Sequence, residues 1–427
     1  MSCLTLIFEH NGTLTAREGT LLALCLSQEE CDENSGTARL IDVVRSADVV
    51  VAGGGIAGVS AALAASRSGA GTVLLEKECA LGGLATLGLI VIYLPLCDGY
   101  GHQVIGGIGE ELLRESVAPG NTSPSASDQH IPDCWNGPST VEERTRNRFR
   151  VNFEAAPMIL SLERLLREAG VEIWYDTRVC AAMSQGGSLT HVIVENKSGR
   201  LALEAKAFVD ATGDADLCRL AGEKTAEYTQ NRKSGWYFSQ KGDARASLHS
   251  LTEPPLDAPC PPGTRCYRLS GGEISAYVQD MHAMISHHAR TQDAIPFLIP
   301  TLPLMRMTRR LVARETLCRE QLGAWREDAV AMTGDWRHPA PVYTIGLNHL
   351  MGRCDNLFSA GRCIGSHGDA WDVTRAIPAC AATGQAAGTA AAMLAQENGL
   401  DVGMLQSRLR RDGAILDRGL TGSDKER

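Results

Sequence analysis

The sequence has no apolar run long enough to cross a membrane. Its longest apolar stretch, Leu87 to Leu96, is interrupted by Gly88 and Pro95, whereas a spanning helix needs about 20 residues. The N-terminus also lacks a basic segment leading into a long apolar one, which is the pattern of a secretory signal. We therefore expect a cytoplasmic protein that does not bind membranes.

Two motifs of other chemistries are also missing. The 14 cysteines include no C-x-x-C pair, the usual spacing in zinc and iron–sulfur sites. The closest pairs, Cys25 with Cys31 and Cys260 with Cys266, are spaced for neither, and scattered cysteines of this kind are typically buried thiols. The sequence contains no G-x-S-x-G nucleophile elbow. We predict neither a metal site nor a serine hydrolase.

Positive charge is in short supply. The formal net charge is −9 and the pI is near 5.7, whereas nucleic-acid binding depends on a broad basic field. Arginine is concentrated only in local patches such as 144–150, so we expect no nucleic-acid partner. The 44% of hydrophobic and 21% of charged residues are typical of a soluble globular protein, and 427 residues are enough for two or three domains.

What the sequence does contain is a β-α-β unit. Asp48 to Ala52 is a short apolar run rich in β-branched residues, typical of a parallel strand that is buried on both faces. Ile56 to Ser68 is predicted to be an alanine-rich helix, and Thr72 to Glu76 the next strand. The connections between these three elements are short.

The turn between the first strand and the helix carries a dinucleotide-binding fingerprint. Gly53, Gly55 and Gly58 satisfy G-x-G-x-x-G, in which glycine allows the tight turn and lets the backbone approach a pyrophosphate at the helix N-terminus. Glu76 follows Gly58 by 18 residues, where an acid accepts hydrogen bonds from a ribose diol. FAD and NAD both bind to such units, so an NAD-dependent dehydrogenase is the alternative.

The remaining pattern divides the chain into five segments. We predict an N-terminal extension at 1–45, a nucleotide-binding domain in two parts at 46–221 and 341–400, a cap or substrate domain at 222–340 between them, and a C-terminal tail at 401–427. The predicted fold class is α/β: a three-layer, Rossmann-like FAD/NAD(P)-binding fold interrupted by a mixed α+β cap. Two cap helices are expected near 272–290 and 306–326, and a loop from Pro119 to Pro124.

Three further motifs favour FAD over NAD. Gly82 to Thr86 follows the acid, Ala211 to Asp214 ends a distant strand, and Asn356 to Arg362 precedes a late helix. With the glycine turn, they resemble the FAD-dependent oxidoreductases of the glutathione-reductase-like superfamily, in particular the type with Gly-Gly-x-Ala-Thr after the second strand. The resemblance covers about 48 to 396 and implies FAD as the cofactor and an oxidoreductase as the activity.

The resemblance also implies which residues contact FAD. The three glycines of the turn would contact the pyrophosphate, Glu76 the adenosine ribose, and the backbone of Val179 the adenine. The ribityl and flavin region would lie against Gly83, Leu84, Ala85 and Thr86. Gly213 and Gly361 would let the backbone approach the cofactor. The other residues assigned to FAD are Ile56, Ala57, Lys77, Ala211, Thr212, Arg362, Ala376 and Pro378.

A long helix rich in alanine and glycine is predicted from Pro378 to Gln396. Proline suits the first turn of a helix. A helix N-terminus beside the flavin would stabilise the negative charge of the reduced ring.

Four residues are candidates for the substrate side of the flavin: Arg306, His367, Asp369 and Arg375. Many relatives have a histidine and an acid shortly after the Gly-Arg-Cys-Ile segment. Here the histidine position falls on Gly368 and the acid position on Asp369, so His367 is one place off.

Three arginines near 306–310 present paired donors that suit a carboxylate or another anion. We favour Arg306 for this role, because the resemblance places it towards the cap. Arg309 and Arg310 are expected on a solvated helix face with partners such as Glu315.

The expected partners are a small organic substrate, with an anion as one option, and an electron donor or acceptor. Only one dinucleotide fingerprint is evident in the sequence, so the second redox partner is a transient nicotinamide, a quinone, another protein or oxygen. A flavin-binding accessory or tRNA-modification protein is a further alternative, against which the acidic charge argues. The oligomeric state stays open.

Overall fold

The structure, a computed structural model, describes residues 7–8, 14–15, 40–122, 129–242, 246–252, 263–397 and 399–422. The strands are β1 Ile7–Phe8, β2 Leu14–Thr15, β3 Val43–Ala52, β4 Thr72–Leu75, β5 Ile92–Tyr93, β6 Val151–Asn152, β7 Glu172–Trp174, β8 Arg178–Gln185, β9 Ser188–Asn196, β10 Gly199–Asp210, β11 Thr225–Glu227, β12 Ser234–Gln240, β13 Ser247–Thr252, β14 Ile295–Leu298, β15 Arg309–Leu311, β16 Ala329–Thr333, β17 Tyr343–Gly346 and β18 Leu357–Ser359. The α-helices are α1 Ile56–Arg67, α2 Ile108–Ser116, α3 Val141–Arg146, α4 Ala155–Glu168, α5 Asp216–Leu220, α6 Gly271–Thr291, α7 Asp369–Thr374, α8 Ile377–Glu397 and α9 Val402–Arg411. Most of the predicted N-terminal extension lies outside the described residues, as do Ser123 and Pro124 of the predicted loop.

A seven-stranded sheet forms the centre of the fold. Its order is β7-β4-β3-β10-β9-β8, with β18 beside β10. The strands β7, β4, β3 and β10 run parallel. The long strand β10 pairs antiparallel with β9 through its first half and parallel with β18 through its last three residues. The predicted α/β, Rossmann-like fold is confirmed.

The central strand β3 is covered on both faces, which explains its continuous apolar run. Val49 and Val51 belong to the core that α1 and α8 share with the sheet. Val50 and Ala52 point to the other core, together with residues of β9 and Leu217 of α5. Successive side chains of a strand point to opposite faces, so an unbroken apolar sequence fills two cores at once.

Helices α1 and α8 pack against each other at very short range. A Cβ atom at Gly384 would lie 2.2 Å from the carbonyl oxygen of Ala57, and one at Gly388 would lie 2.0 Å from that of Ala61. The small residues of α8 therefore serve close packing of two backbones. This packing holds the N-terminus of α8 next to the glycine turn that precedes α1.

The inserted cap has a sheet and a helix of its own. Its sheet has the order β13-β12-β14, and α6 covers it with a stripe that recurs every four residues, namely Tyr277, Met281, Ile285 and Ala289, all buried. Ser270 caps α6 by accepting a hydrogen bond from the backbone N–H of Glu273. The helix predicted near 272–290 is confirmed.

The second cap helix, predicted near 306–326, is wrong. Strand β15 lies there and pairs antiparallel with β11, and a single 3₁₀ turn follows at Arg319–Gln321. Arg309 and Arg310 are buried, in contrast to the expected solvated helix face. Arg309 donates from Nε to the backbone oxygen of Asp214 at 2.8 Å and forms an ion pair with Asp216. Pairing with β11 overrides the helix propensity of arginine, which is only a weak determinant.

The cysteines largely follow expectation. Nine described cysteines are free thiols and five of these are buried, whereas Cys266 is disulfide-bonded.

The helices of the described ranges include none with the length and apolar character of a membrane span. The cytoplasmic location and the domain boundaries stay predictions. The segment predicted as a C-terminal tail includes α9, which packs on α8 and β16.

A histidine is completely buried at the end of β17. The Nδ1 atom of His349 accepts a hydrogen bond from the backbone N–H of Gly346 at 3.0 Å, and its Nε2 atom has no hydrogen-bond partner among the residues that the structure describes. Burial lowers the pKa of His349 to about 4, and the nearby Arg326 contributes. The imidazole is therefore neutral in the folded protein at neutral pH.

We expect this histidine to make the fold sensitive to mild acid. Between about pH 6.5 and 4 the unfolded chain binds a proton at His349 that the folded protein does not, so the free energy of unfolding falls as the pH falls. The loss at pH 4.5 is about 2–3 kcal/mol relative to pH 7. Urea denaturation of the wild type and of His349→Asn at both pH values measures it. Equal losses in the two proteins would contradict the assignment.

The contact between α1 and α8 generates a second prediction. Gly388→Ala places a methyl group against the backbone of Ala61 and should lower the free energy of unfolding by about 1–3 kcal/mol through overpacking. Gly272→Ala is the matched control, because a Cβ atom there meets nothing within 4 Å. This control should be neutral or stabilising by up to about 1 kcal/mol. Urea denaturation compares the two, and equal midpoints would argue against the close contact.

Candidate active site

A large cleft opens at the carboxyl ends of β3, β4 and β10. Ala52, Leu75 and Ala211, at or just beyond these ends, line it, and it extends to Ile274 and Arg306 in the cap. Its free space, including the part open to solvent, is about 1570 Å³. In open α/β sheets, ligands bind at this edge.

The glycine turn forms the floor of the cleft. Gly53 has a φ of +100°, and a Cβ atom on it would lie 2.5 Å from the carbonyl oxygen of Ala211. A Cβ atom at Gly58 would lie only 1.7 Å from the carbonyl oxygen of Gly53. Gly55 differs, because a Cβ atom there meets nothing within 4 Å. Two of the glycines thus allow close packing, and the third faces open space.

The first turn of α1 is free to bind an anion. Gly55 precedes the helix without a side-chain cap, and no acid lies in the first turn. Helix N-termini leave N–H groups without partners inside the helix and carry a partial positive charge. Ile56 and Ala57 line the cleft at this point, whereas Gly58 lies behind it.

Glu76 holds the turn from the side of β4. One carboxylate oxygen accepts the backbone N–H of Gly54 at 2.5 Å, and the other accepts that of Glu78 at 2.8 Å. Burial raises the pKa of Glu76, and the two hydrogen bonds oppose this shift. Glu76 lines the cleft, so each oxygen keeps a lone pair for a hydroxyl donor.

A second glycine turn forms one wall. Gly82 and Gly83 have φ values of +98° and +56°, and Gly83, Leu84 and Ala85 line the cleft. Thr86 is buried behind this wall, where its hydroxyl donates to the carbonyl oxygen of Leu81 at 2.5 Å. Thr86 therefore supports the turn from outside the cleft.

The opposite wall follows the end of β10. Asp210 accepts the backbone N–H of Thr212 and of Cys218, which fixes the backbone path past Gly213. Arg362 lies close behind Gly213, donates to the carbonyl oxygen of Met305 at 2.7 Å and lies 3.6 Å from Asp214. Gly361 lies outside the cleft and packs against the Cβ atom of Ala57.

The far end of the cleft is polar. Lys77, Thr177, Arg178 and Val179 line it together with Asp216. Burial raises the pKa of Asp216 to about 6, with Asp214 and Asp210 adding to the shift. The ion pair of Asp216 with Arg309 opposes this shift.

The cap end has mainly apolar walls and two arginines. Arg375 is paired with Asp372 and lies over the ring of Trp336 at 5.8 Å. Arg306 lies over the ring of Trp236 at 5.6 Å. Ala376, Ile377 and Cys380 at the start of α8 complete this end, and Pro378, in the first turn, lies just outside it.

Two of the substrate-side candidates lie away from the cleft. His367 is exposed, and its backbone N–H donates a hydrogen bond to the carbonyl oxygen of Leu317. Asp369 accepts hydrogen bonds from Arg337 at 2.6 Å and from the hydroxyl of Tyr343 at 3.2 Å. Arg337 lowers the pKa of Asp369, so this acid is engaged in a structural ion pair.

Sequence reasoning missed most of the apolar walls, which share no local motif. They are Ile90, Ile92, Leu94, Leu269, Ile274, Leu302, Pro303 and Met305. Thr308 and Asp216 were missed as well, although the motif from Ala211 to Asp214 ends only two residues before this acid. Within the described ranges, no group of histidine, cysteine, aspartate or glutamate side chains is arranged to hold a metal ion.

The residues of the cleft fit FAD. The uncapped α1 N-terminus suits a diphosphate, and Glu76 suits a ribose diol. The cleft extends from the glycine turn to the cap, which suits an elongated dinucleotide. The apolar cap end, with the start of α8, suits a planar ring system.

The chain matches one known protein family and is similar to several solved structures. The sequence model of the FAD-dependent oxidoreductase family matches residues 48–301 and 273–409. Among solved structures, a geranylgeranyl bacteriochlorophyll reductase-like protein from Thermoplasma acidophilum is 14% identical, with a TM-score of 0.43 over 86% of this chain and 83% of its own. An aromatic hydroxylase from angucycline biosynthesis is 15% identical, with a TM-score of 0.44 over 89% and 70% of the two chains. Since the family model spans most of the sequence, the protein belongs to the FAD-dependent oxidoreductase family, with FAD as its cofactor.

Proposed function

We propose that the protein transfers a hydride, or two electrons, between a small organic substrate and FAD bound in the cleft. The observation that carries this proposal is the continuity of the cleft. It runs without interruption from the glycine turn and Glu76 to the apolar walls of the cap. A cofactor held at one end would therefore meet a substrate at the other.

The nucleotide half of FAD would be held by backbone groups and one acid. The N–H groups at the start of α1 would bind the diphosphate, and Glu76 would accept hydrogen bonds from the adenosine ribose. Lys77 and the backbone of Val179 would border the adenosine. The backbone from Ala211 to Gly213, whose path Asp210 fixes, would border the middle of the cofactor together with Arg362.

The redox half would lie between the second glycine turn and α8. When bound, the flavin ring supplies the two-electron chemistry of the reaction. The start of α8, at Ala376 and Ile377, lines this part of the cleft and brings the positive end of a 21-residue helix close to it. Arg375, which is paired with Asp372, also lines this part of the cleft. The helix N-terminus would favour an electron-rich ring and so its reduction.

The cap would orient the substrate and exclude water. Leu302, Pro303 and Met305 lead from the cap sheet into the cleft, and Ile274 of α6 faces the same space. Closing apolar walls around a reacting carbon strengthens the electrostatic interactions inside the site. Because the sequence shows one dinucleotide fingerprint, the second redox partner would reach the flavin through the same opening.

The position of Glu76 predicts a specific loss of cofactor affinity. Glu76→Gln keeps the shape of the side chain but removes the charge that a ribose diol would use, and its NH2 group cannot accept one of the two backbone N–H groups that the carboxylate accepts. A hydrogen bond to a charged group contributes about 1.5–3 kcal/mol, so we expect FAD affinity to fall by about 10- to 100-fold. Glu78→Gln is the control, since its side chain lies outside the cleft lining. Release of FAD on dilution, followed by flavin fluorescence, measures both variants, and equal release would refute the role.

The proposed reaction is tested on the purified holoprotein. We expect it to absorb in the blue, to be reduced by light under anaerobic conditions, and to be reoxidised by at least one of a nicotinamide, a quinone and oxygen. Small organic reductants can then be screened for reduction of the oxidised protein. A protein that retains FAD but is neither reduced nor reoxidised would overturn the proposal.

A further inference from the structure

One arginine at the cap end of the cleft has no acidic partner. Arg375 is paired with Asp372, and Arg362 lies near Asp214. Arg306, in contrast, forms no ion pair with any residue of the described ranges, and its buried Nε atom has no hydrogen-bond partner. Its guanidinium group lies over the ring of Trp236, 5.6 Å from the ring centroid.

Such a charge is unfavourable unless something else satisfies it. Burial lowers the pKa of Arg306 to about 10, and the positive charge of Arg375 adds to the shift. A cation–π contact of about 0.5–2 kcal/mol attracts the guanidinium but accepts none of its in-plane hydrogen bonds. Buried polar groups are normally hydrogen-bonded, and Arg306 lines the cleft, so its missing acceptor is expected from a bound molecule.

The charge balance indicates the type of anion. Arg306 carries one positive charge without an ion-pair partner in the described ranges, whereas Asp372 already pairs with both Arg375 and Arg337. A carboxylate carries one negative charge and matches the planar guanidinium through two parallel hydrogen bonds. A phosphate group carries about −1.5 to −2 and would leave negative charge that Arg306 does not balance.

The surrounding walls indicate the rest of the molecule. Ile90, Ile92, Ile274, Leu302 and Pro303 line the same end of the cleft. Aliphatic walls of this kind favour an apolar body, at about 25 cal/mol for each Å² of apolar surface removed from water. A strongly polar substrate such as a sugar would lose hydrogen bonds to water there.

We propose that the substrate is an apolar molecule with a single carboxylate, which Arg306 binds while the apolar body fills the cap end of the cleft. This inference rests on the proposed function, because it identifies the substrate class of the same site. Arg306 is thereby the residue that selects acids over their neutral analogues.

The test compares acids with their amides on the FAD-loaded protein. The probes are octanoate, cyclohexanecarboxylate and phenylacetate, each with the corresponding amide, titrated by calorimetry and by the change in the flavin absorption spectrum. We expect at least one acid to bind ten or more times more tightly than its amide. In Arg306→Gln that preference should disappear, with the affinity for the amide unchanged.

Two further variants complete the design. Arg268→Gln removes one positive charge from an exposed residue next to Leu269 and should keep the preference. Arg306→Lys keeps the positive charge but lacks the planar guanidinium group, and it should retain part of the preference for acids. If Arg306→Gln loses FAD or unfolds, the inference is tested by the ratio of acid to amide affinity in the wild type and in Arg306→Lys.

The outcomes separate the two proposals. Equal affinity for acids and amides in the wild type, or no binding of any acid to protein that retains FAD and is photoreduced, overturns the carboxylate inference alone. An unchanged preference in Arg306→Gln does the same. Loss of redox activity in the wild type instead overturns the proposed function.

Discussion

The structure depends on the close approach of three backbone segments below the cleft. Gly53 packs against the backbone of Ala211, and Gly58 packs against Gly53 itself, at separations that no side chain permits. Together they bring the end of β3, the end of β10 and the start of α1 to one point. The uncapped N–H groups of α1 then face the cleft, and Glu76 braces the turn from β4. Replacing either packed glycine would displace the whole floor of the site.

Elements with strong local patterns could be predicted from the sequence. Strand β3, helix α1 and helix α8 lie within a few residues of their expected bounds, except that β3 begins earlier, at Val43. The reason is that a buried parallel strand and an alanine-rich helix have compositions that few other structures share. The glycine turn and Glu76 were predictable for the same reason, since their spacing follows from the geometry of the β-α-β unit.

Features that depend on distant contacts could not be predicted. Arg309 and Arg310 lie in a strand because β11, more than 80 residues earlier, supplies its partner. The apolar walls of the cap end come from separate segments, and an isoleucine that lines a cleft has the same sequence signal as one in a core. Asp369 was a reasonable candidate from its position, but its partners Arg337 and Tyr343 come from elsewhere in the chain.

The double pairing of β10 has a consequence for the order of assembly. Its last residues pair with β18, which lies about 150 residues later in the chain, and α8, which covers α1, follows β18. Contacts of such long range form slowly. During synthesis the β-α-β unit emerges first, yet its sheet stays incomplete and its helix α1 uncovered until the cap has been made. Stable capture of the cofactor therefore belongs to the finished chain, and a ribosome-bound fragment that ends before β18 would expose the apolar surface that α8 later covers.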